Sequence, residues 1–381
     1  MKPTIVLAAD TYYPKADGVL RFMEEFIKKS RHDFSLHLLV PRFSTRQQSG
    51  VRTTLLDLSA RSLFSYNSIQ LSGKNRGKIQ TAVRDADVVF IQELGPVGFL
   101  ALRAARQYHQ KTVLYIHNTP WEFIEKYFSL NRLSSFLAQK FFVHWYNQAD
   151  LLLIPYPQLK LQLRQAGVTT SIEVAQLGVD LARFFPAQDH RAFKKKMNFP
   201  TGSIIGYVGR VSNEKNTLML LNAFQKLKTD AFLLIVGDGH KELVQQFKST
   251  PNCRVTGFVS NVQEYLQAMD IFVMPSLTET TSLATLEAMA TGLPVIVTPV
   301  GFMKNYVVNN HNGIFCSRNS PDTLAAKIEQ LLANPALRSR LGKEARKTVV
   351  HSFSVEQSMN RIKSLLSRIH HSPRRSRDHK K

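Results

Sequence analysis

The chain has 381 residues and 44% hydrophobic content, which excludes a disordered polyelectrolyte and calls for two cores rather than one. Its formal charge of +22 attracts polyanions, whether nucleic acid or an anionic bilayer, and is silent about fold. Cys253 and Cys316 are too few for a disulfide framework or a metal cluster, and no apolar run approaches the roughly 20 residues of a membrane span.

Residues 4–8 read as a buried strand, too short an apolar run for a signal peptide. A polar turn follows, reaching Asp17 and Gly18. Val19, Leu20, Phe22, Met23, Phe26 and Ile27 then have the spacing of a helix packed on a sheet. A strand, a glycine-bearing turn and a helix make a corner that accepts anions. Residues 36–40 form the second strand, whereas 45–77 are polar and basic with weak periodicity, and loops and short elements are expected there. Residues 88–92 are another strand, and Gly95-Pro96 opens an apolar helix to about Tyr108.

The strand at 112–116 ends in His117-Asn118-Thr119-Pro120. A lone histidine is more often structural, but the carboxyl end of a parallel strand is where ligands sit. In the helix at 131–147, Leu133, Phe136, Leu137, Lys140, Phe141, His144 and Trp145 fall near one face, with Lys126 and Arg132 close by. Such a helix can lie at a bilayer interface. Packing on the N-terminal sheet is the favoured reading, because amphipathic helices ordinarily face cores. Strands at 151–155 and 173–175 complete the first half.

After a basic stretch at 188–198, expected to be a linker and lead-in helix, the pattern begins again. A strand at 204–208 runs into Gly209-Arg210 and on to Lys215, before a helix at 218–227. Two cations above a strand end can neutralise a departing diphosphate. Residues 232–236 are a strand closed by Gly237-Asp238-Gly239, too short to be a dinucleotide fingerprint.

The densest signal is 275–301, PSLTETTSLATLEAMATGLPVIVTPVG. A strand at 271–274 enters a turn of Glu279, Thr280, Thr281 and Ser282. The helix at 283–290 carries Glu287 and is stopped by Gly292-Leu293-Pro294 before a strand at 295–298. Amides opening that helix have no intrahelical partner and can bind phosphate, while the two carboxylates can take hydroxyls further along the ligand. Phosphate beside polyol is what a sugar nucleotide presents. Helices at 321–332 and 355–369 follow, and the basic 370–381 is expected to be disordered, a candidate tether to acidic lipid.

The spacing E-x7-E followed by AMATGLPVIVT resembles the signature of retaining glycosyltransferases of family 4. The resemblance runs from residue 4 to about 369 and is looser in the first half. It implies an α/β chain of GT-B fold, with two doubly wound Rossmann-like domains facing across a cleft. Domains are expected at 1–180 (acceptor side) and 181–355 (nucleotide-sugar side), joined by a hinge at 178–186, with the helix at 356–369 returning to the first domain. The implied reaction transfers a hexose from a UDP- or GDP-linked donor to a hydroxyl, with no metal and no cofactor. Arg210 and Lys215 would hold the diphosphate with amides from Thr280, Thr281, Ser282 and Leu283. Glu279 would bind the sugar, Glu287 the ribose, and Gly209 and the Gly257-Phe258 segment would border the nucleotide. Gly18 and His117, with Asp17 less firmly, would stand beside the reacting centre.

Many relatives carry Phe-Gly where this chain has Thr280-Thr281-Ser282, which bears on sugar preference. A membrane lipid is the favoured acceptor, on a chain expected to be cytoplasmic and peripheral on the inner face of an anionic membrane. A soluble or lipid-linked glycan is the alternative. A sugar-nucleotide epimerase and a nucleic-acid-binding protein are the rival classes, but no specific nucleic acid is expected, since no known module is present.

Overall fold

The computed structural model describes residues 2–13, 18–43, 50–63, 66–117, 119–121 and 132–373. The chain divides into two compact units, residues 1–176 with 356–381, and 177–355.

In the first unit, strands β1 (Thr4–Ala9), β2 (Ser35–Pro41), β3 (Arg52–Leu56), β6 (Val88–Gln92), β7 (Lys111–Tyr115), β8 (Leu151–Ile154) and β9 (Ile172–Val174) form one parallel sheet. Its order is β3-β2-β1-β6-β7-β8-β9, with β4 (Leu58–Leu63) and β5 (Tyr66–Ile69) set apart as an antiparallel pair. Discounting that pair, the order reverses direction at β1/β6 as in a doubly wound sheet, and ligands bind beyond strand ends at such a switch. Strands covered on both faces have no need to alternate, and β1, β6 and β8 are apolar nearly throughout.

One sheet face carries α1 (Gly18–Ser30), whose Phe22 and Phe26 pack edge-on against Phe90. The other carries α2 (Gly73–Arg84), α3 (Pro96–Gln107), α4 (Arg132–Tyr146) and α5 (Pro157–Ala166), which share one core with Val6, Val89, Leu114 and Leu152.

The second unit repeats the plan. Strands β10 (Ile204–Val208), β11 (Phe232–Val236), β12 (Cys253–Val255), β13 (Ile271–Met274), β14 (Val295–Val297) and β15 (Ile314–Phe315) are parallel, in the order β12-β11-β10-β13-β14-β15. The switch lies between β10 and β13. Helices α6 (His190–Lys196), α7 (Thr217–Phe224), α8 (Lys241–Lys248), α9 (Val262–Ala268), α10 (Leu283–Ala290), α11 (Met303–Tyr306), α12 (Pro321–Ala333) and α13 (Pro335–Ser352) complete it.

The last helix, α14 (Val355–His371), belongs to the first unit apart from its opening residue. Lys29 meets Glu356 at 2.6 Å, Lys363 meets Asp33 at 3.0 Å, and Arg361 and Arg368 share Glu173 at 2.9 and 2.8 Å. Arg368 above all holds the Glu173 carboxyl below its usual range. Such exposed pairs are worth roughly 0–1 kcal/mol each; the apolar face of Met359, Ile362, Leu365 and Leu366 is the larger contribution.

The short elements expected at 45–77 are, over the described 50–63 and 66–77, an edge strand of the main sheet, a hairpin and the start of α2; β3 is only half apolar, so its periodicity is faint. Strand β12 ends at Val255, and the chain has turned by Gly257, whose φ is +72°. His370 and His371 end α14 rather than beginning a tail, and 374–381 lie outside the described residues. The helix at 131–147 does pack on the sheet, but through Val143 and Tyr146. Phe136, Leu137, Phe141 and His144, from the face singled out in the sequence, are exposed, while Trp145 is partly covered.

Candidate active site

In the second unit, the loop after β10 and the loop after β13 meet beyond the carboxyl ends of their strands. The Leu277 amide donates to the Glu214 carbonyl at 3.0 Å and ties them together. Across this junction the Lys215 ammonium lies 2.8 Å from Glu279 Oε1, with both side chains largely buried. Ser276 Oγ donates to the same carboxylate oxygen at 2.9 Å. Losing one partner of such a pair strands a charge away from water, so the geometry is fixed before any ligand arrives.

Close backbone packing sets the position of Glu279. A Cβ on Gly301 would stand 1.8 Å from the Glu279 carbonyl oxygen, and Gly301 has φ +55°, a conformation that favours glycine. Next to it, the Phe302 amide donates to the Thr280 carbonyl at 2.7 Å, and the buried Tyr306 hydroxyl donates to the Thr281 carbonyl at 2.7 Å. The turn is thus clamped from behind, and α10 begins at Leu283. Ser282 precedes it at φ +57°, also a region glycine prefers, and its hydroxyl meets Thr285 Oγ1 at 2.8 Å instead of capping the helix. The opening amides of α10 lack a side-chain cap. Glu287, one turn in, is buried.

On the β10 side, Gly209 has φ +149° and lies over Tyr207, whose hydroxyl donates to the Arg210 carbonyl at 2.8 Å. Burial pushes the Tyr207 phenol well above its ordinary range, so it stays a neutral donor. Arg210 is more than half exposed and sits 3.8 Å from Glu214, which is 3.9 Å from Lys215. Glu214, Ser276, Tyr207 and Tyr306 had no role in the sequence reading. Their types carry no signal alone; only the spatial meeting of two loops reveals them. Gly257 pairs with Gly237 in an isolated bridge, bringing the Phe258 loop, with Phe258 itself exposed, alongside the loop after β11.

In the first unit His117 is buried beyond β7. Its Nε2 lies 3.1 Å from Gln92 Oε1, and its ring stacks on Tyr115 with centroids 4.4 Å apart. Burial lowers its pKa to about 3, so the imidazole is neutral at ordinary pH. It can donate or accept a hydrogen bond but cannot serve as a cation. Gly18 is exposed at the start of α1, and Asp17 lies outside the described residues.

Two doubly wound units, with an ion pair at the switch point of the second, define a GT-B protein. The sequence model described as Glycosyl transferases group 1 matches residues 189–348, and that of Glycosyltransferase Family 4 matches residues 16–183. The chain belongs to glycosyltransferase family 4. It is 30% identical over 207 residues to the Escherichia coli UDP-Gal:alpha-D-GlcNAc-diphosphoundecaprenol alpha-1,3-galactosyltransferase, covering 51% of this chain and 53% of that one. It is 27% identical to the Acholeplasma laidlawii alpha-monoglucosyldiacylglycerol synthase, covering 68% of this chain and 70% of the relative. The match spans about half the length of the first of these two, as it does for the Arabidopsis thaliana sulfoquinovosyl transferase (52%). The crystal structure of Anabaena HepE with UDP and glucose shares the fold at TM-score 0.80 and 17% identity, over 96% of this chain and all of that one.

Proposed function

We propose that the protein transfers a hexose from a UDP- or GDP-sugar to a hydroxyl of a membrane lipid, with retention at the anomeric carbon. The observation that carries the reading is the buried Lys215–Glu279 pair at the mouth of α10. One charge suits a diphosphate and the other suits sugar hydroxyls, a few ångströms apart.

In this reading Lys215 and Arg210 neutralise the diphosphate as its bond to the sugar breaks, together with the amides opening α10. Cations fixed in advance stabilise that developing charge without reorganising. Lys215 is held by Glu279 and so is aimed before the donor binds, whereas exposed Arg210 closes on the phosphate. Glu279 accepts hydrogen bonds from sugar hydroxyls and Glu287 from the ribose. Gly209 gives the diphosphate close access to backbone, and the Gly257-Phe258 segment borders the base. Neutral His117 and the turn at Gly18 contact the sugar or acceptor, with Asp17 as a further candidate. No metal or cofactor is needed, because the two cations and the helix amides supply the positive charge. Among these residues no carboxylate is assigned as a nucleophile, which favours a front-face displacement in which the leaving phosphate takes the acceptor proton.

The lipid acceptor is supported by the diacylglycerol- and undecaprenol-linked chemistry named for the two relatives, and by the charge of the chain. A lipid-linked glycan acceptor is favoured by the Escherichia coli relative alone. The test is incubation with UDP-glucose, UDP-galactose and GDP-mannose, each with a diacylglycerol and with a polyprenyl-linked glycan. Products are resolved by mass and anomeric configuration by NMR. A new α-linked glycolipid supports the reading. An inverted linkage, or an epimerised sugar nucleotide with no transfer, overturns it.

A further inference from the structure

The helices on one face of the first sheet share an unusual composition. Across α2, α3, α4 and α5 every helix carries lysine or arginine, and none carries aspartate or glutamate. On the opposite face α1 holds Glu24 and Glu25, and α14 holds Glu356. Those acids are set against Arg21, Lys28 and Lys29 in α1 and Arg361, Lys363 and Arg368 in α14, so among the helices of this unit the uniformly basic layer is the α2–α5 side. Lys74 and Lys78 are engaged by Asp57, which leaves Arg76, Arg103 and Lys140 prominent among the exposed cations of that layer.

The same layer gathers the apolar exposure. Among the described residues of the first unit, the large hydrophobic side chains left exposed are Leu71, Phe136, Leu137, Phe141 and Leu161. Each is on, or immediately before, one of these four helices. Phe136, Leu137 and Phe141 are 51%, 59% and 49% exposed and fall on one stripe of α4, with the Lys140 ammonium 5.2 Å from the Phe136 ring centre.

Patch and charge are continuous. Phe141 stacks on Phe99 of α3 at 6.0 Å, and the Arg103 guanidinium lies 5.9 Å from the Phe99 ring. Arg103 in turn lines a cavity of about 280 Å³ between α2 and α3, with Arg76, Gln80 and Gln107 around it and Ile79 and Leu100 also lining it.

We infer that this face docks on an anionic phospholipid bilayer, with Phe136, Leu137 and Phe141 entering the acyl boundary and the Arg76–Arg103 cavity taking a lipid phosphate. Interfacial helices combine an apolar face with basic residues in this way. Phenylalanine serves either a bilayer or a stacked base, but the exposed Leu71, Leu137 and Leu161 reward hydrocarbon and give a nucleic acid nothing to stack on, which favours the bilayer. A second copy of so uniformly basic a face would be repelled. The inference deepens the lipid-acceptor reading by naming the surface that meets the membrane, and its test needs no turnover.

The test is co-sedimentation of the full chain with vesicles of phosphatidylcholine alone or with 30 mol % phosphatidylglycerol, at low and high salt, without donor. Binding is expected only to the anionic vesicles and to weaken with salt. Phe136→Ser/Phe141→Ser and Arg76→Glu/Arg103→Glu are each expected to lower partitioning about tenfold or more. A control pair at exposed positions of the second unit, Leu218→Ser/Val350→Ser, is expected to leave it unchanged. Circular dichroism checks that each variant is folded. Binding unaffected by either first-unit pair, equal binding to neutral vesicles, or capture of single-stranded DNA abolished by the same substitutions overturns the inference. Vesicle binding without glycolipid formation leaves the docking face standing and removes only the lipid-acceptor reading.

Discussion

Replacing Gly301 by alanine would place a methyl carbon 1.8 Å from the carbonyl oxygen of Glu279, and 2.8 Å from that of Thr280. Ordinary contact begins near 3.4 Å, so the Glu279 backbone must retreat by roughly 1.5 Å or the β14–α11 turn must open. Alanine at φ +55° adds about 1 kcal/mol of backbone strain. A displacement of about 1 Å at a positioned group costs on the order of 100-fold in rate. The expected result is a loss of about 100-fold in kcat/KM for Gly301→Ala, although Gly301 has no assigned contact with substrate. Gly50→Ala is the control, since Gly50 has φ +64° with nothing within 4 Å of the new methyl group. It should show the strain in a urea melt and keep its rate. Steady-state kinetics and equilibrium unfolding on both variants decide the matter. A Gly301→Ala enzyme within threefold of wild type would refute the claim that this close approach positions Glu279.

Glu287→Gln is expected to raise the donor KM about tenfold or more with little change in kcat, because a ribose contact is made equally in the ground and transition states. Burial lowers His117 to about 3 and His37 to about 4. The unfolded chain therefore binds more protons than the native one from those values up to about pH 6.5. Stability should be complete above that window and fall as pH drops through it, by at most about 1.4 kcal/mol per pH unit for each histidine. His37→Gln should flatten the slope in urea melts between pH 4 and 7, and an unchanged slope would count against the burial argument. Transfer activity is expected to persist in EDTA; abolition by EDTA with recovery in Mg²⁺ would contradict the metal-independent reading.

The second unit was legible where chemistry concentrates. The turn from Glu279 to Ser282, the Gly292-Leu293-Pro294 stop and the cations at 210 and 215 are encoded locally. Their strands are short apolar runs with clear punctuation. What escaped was set by tertiary contact. Strand β3 holds its place through parallel pairing with β2, not through its own pattern. The 18-residue α13 has a low-contrast surface and was not anticipated; its Gly342 lies against the Gly292 carbonyl, a packing no local signal announces. Gln92 beside His117, and Ser276 and Tyr306 around the Glu279 turn, became visible only once separate segments were brought together. The apolar stripe of α4 was read correctly as a stripe, but periodicity alone cannot say that the core takes the other side.

The most direct test of the account is calorimetric titration of UDP, GDP, UDP-glucose and GDP-mannose into wild type, Lys215→Met and Glu279→Gln. The wild type should bind one nucleotide series and prefer the sugar-linked form. Lys215→Met should weaken that series at least tenfold, while Glu279→Gln should keep the nucleoside diphosphate and lose the preference for the attached sugar. Equal affinities across all three proteins would contradict the assignment of this ion pair to the donor.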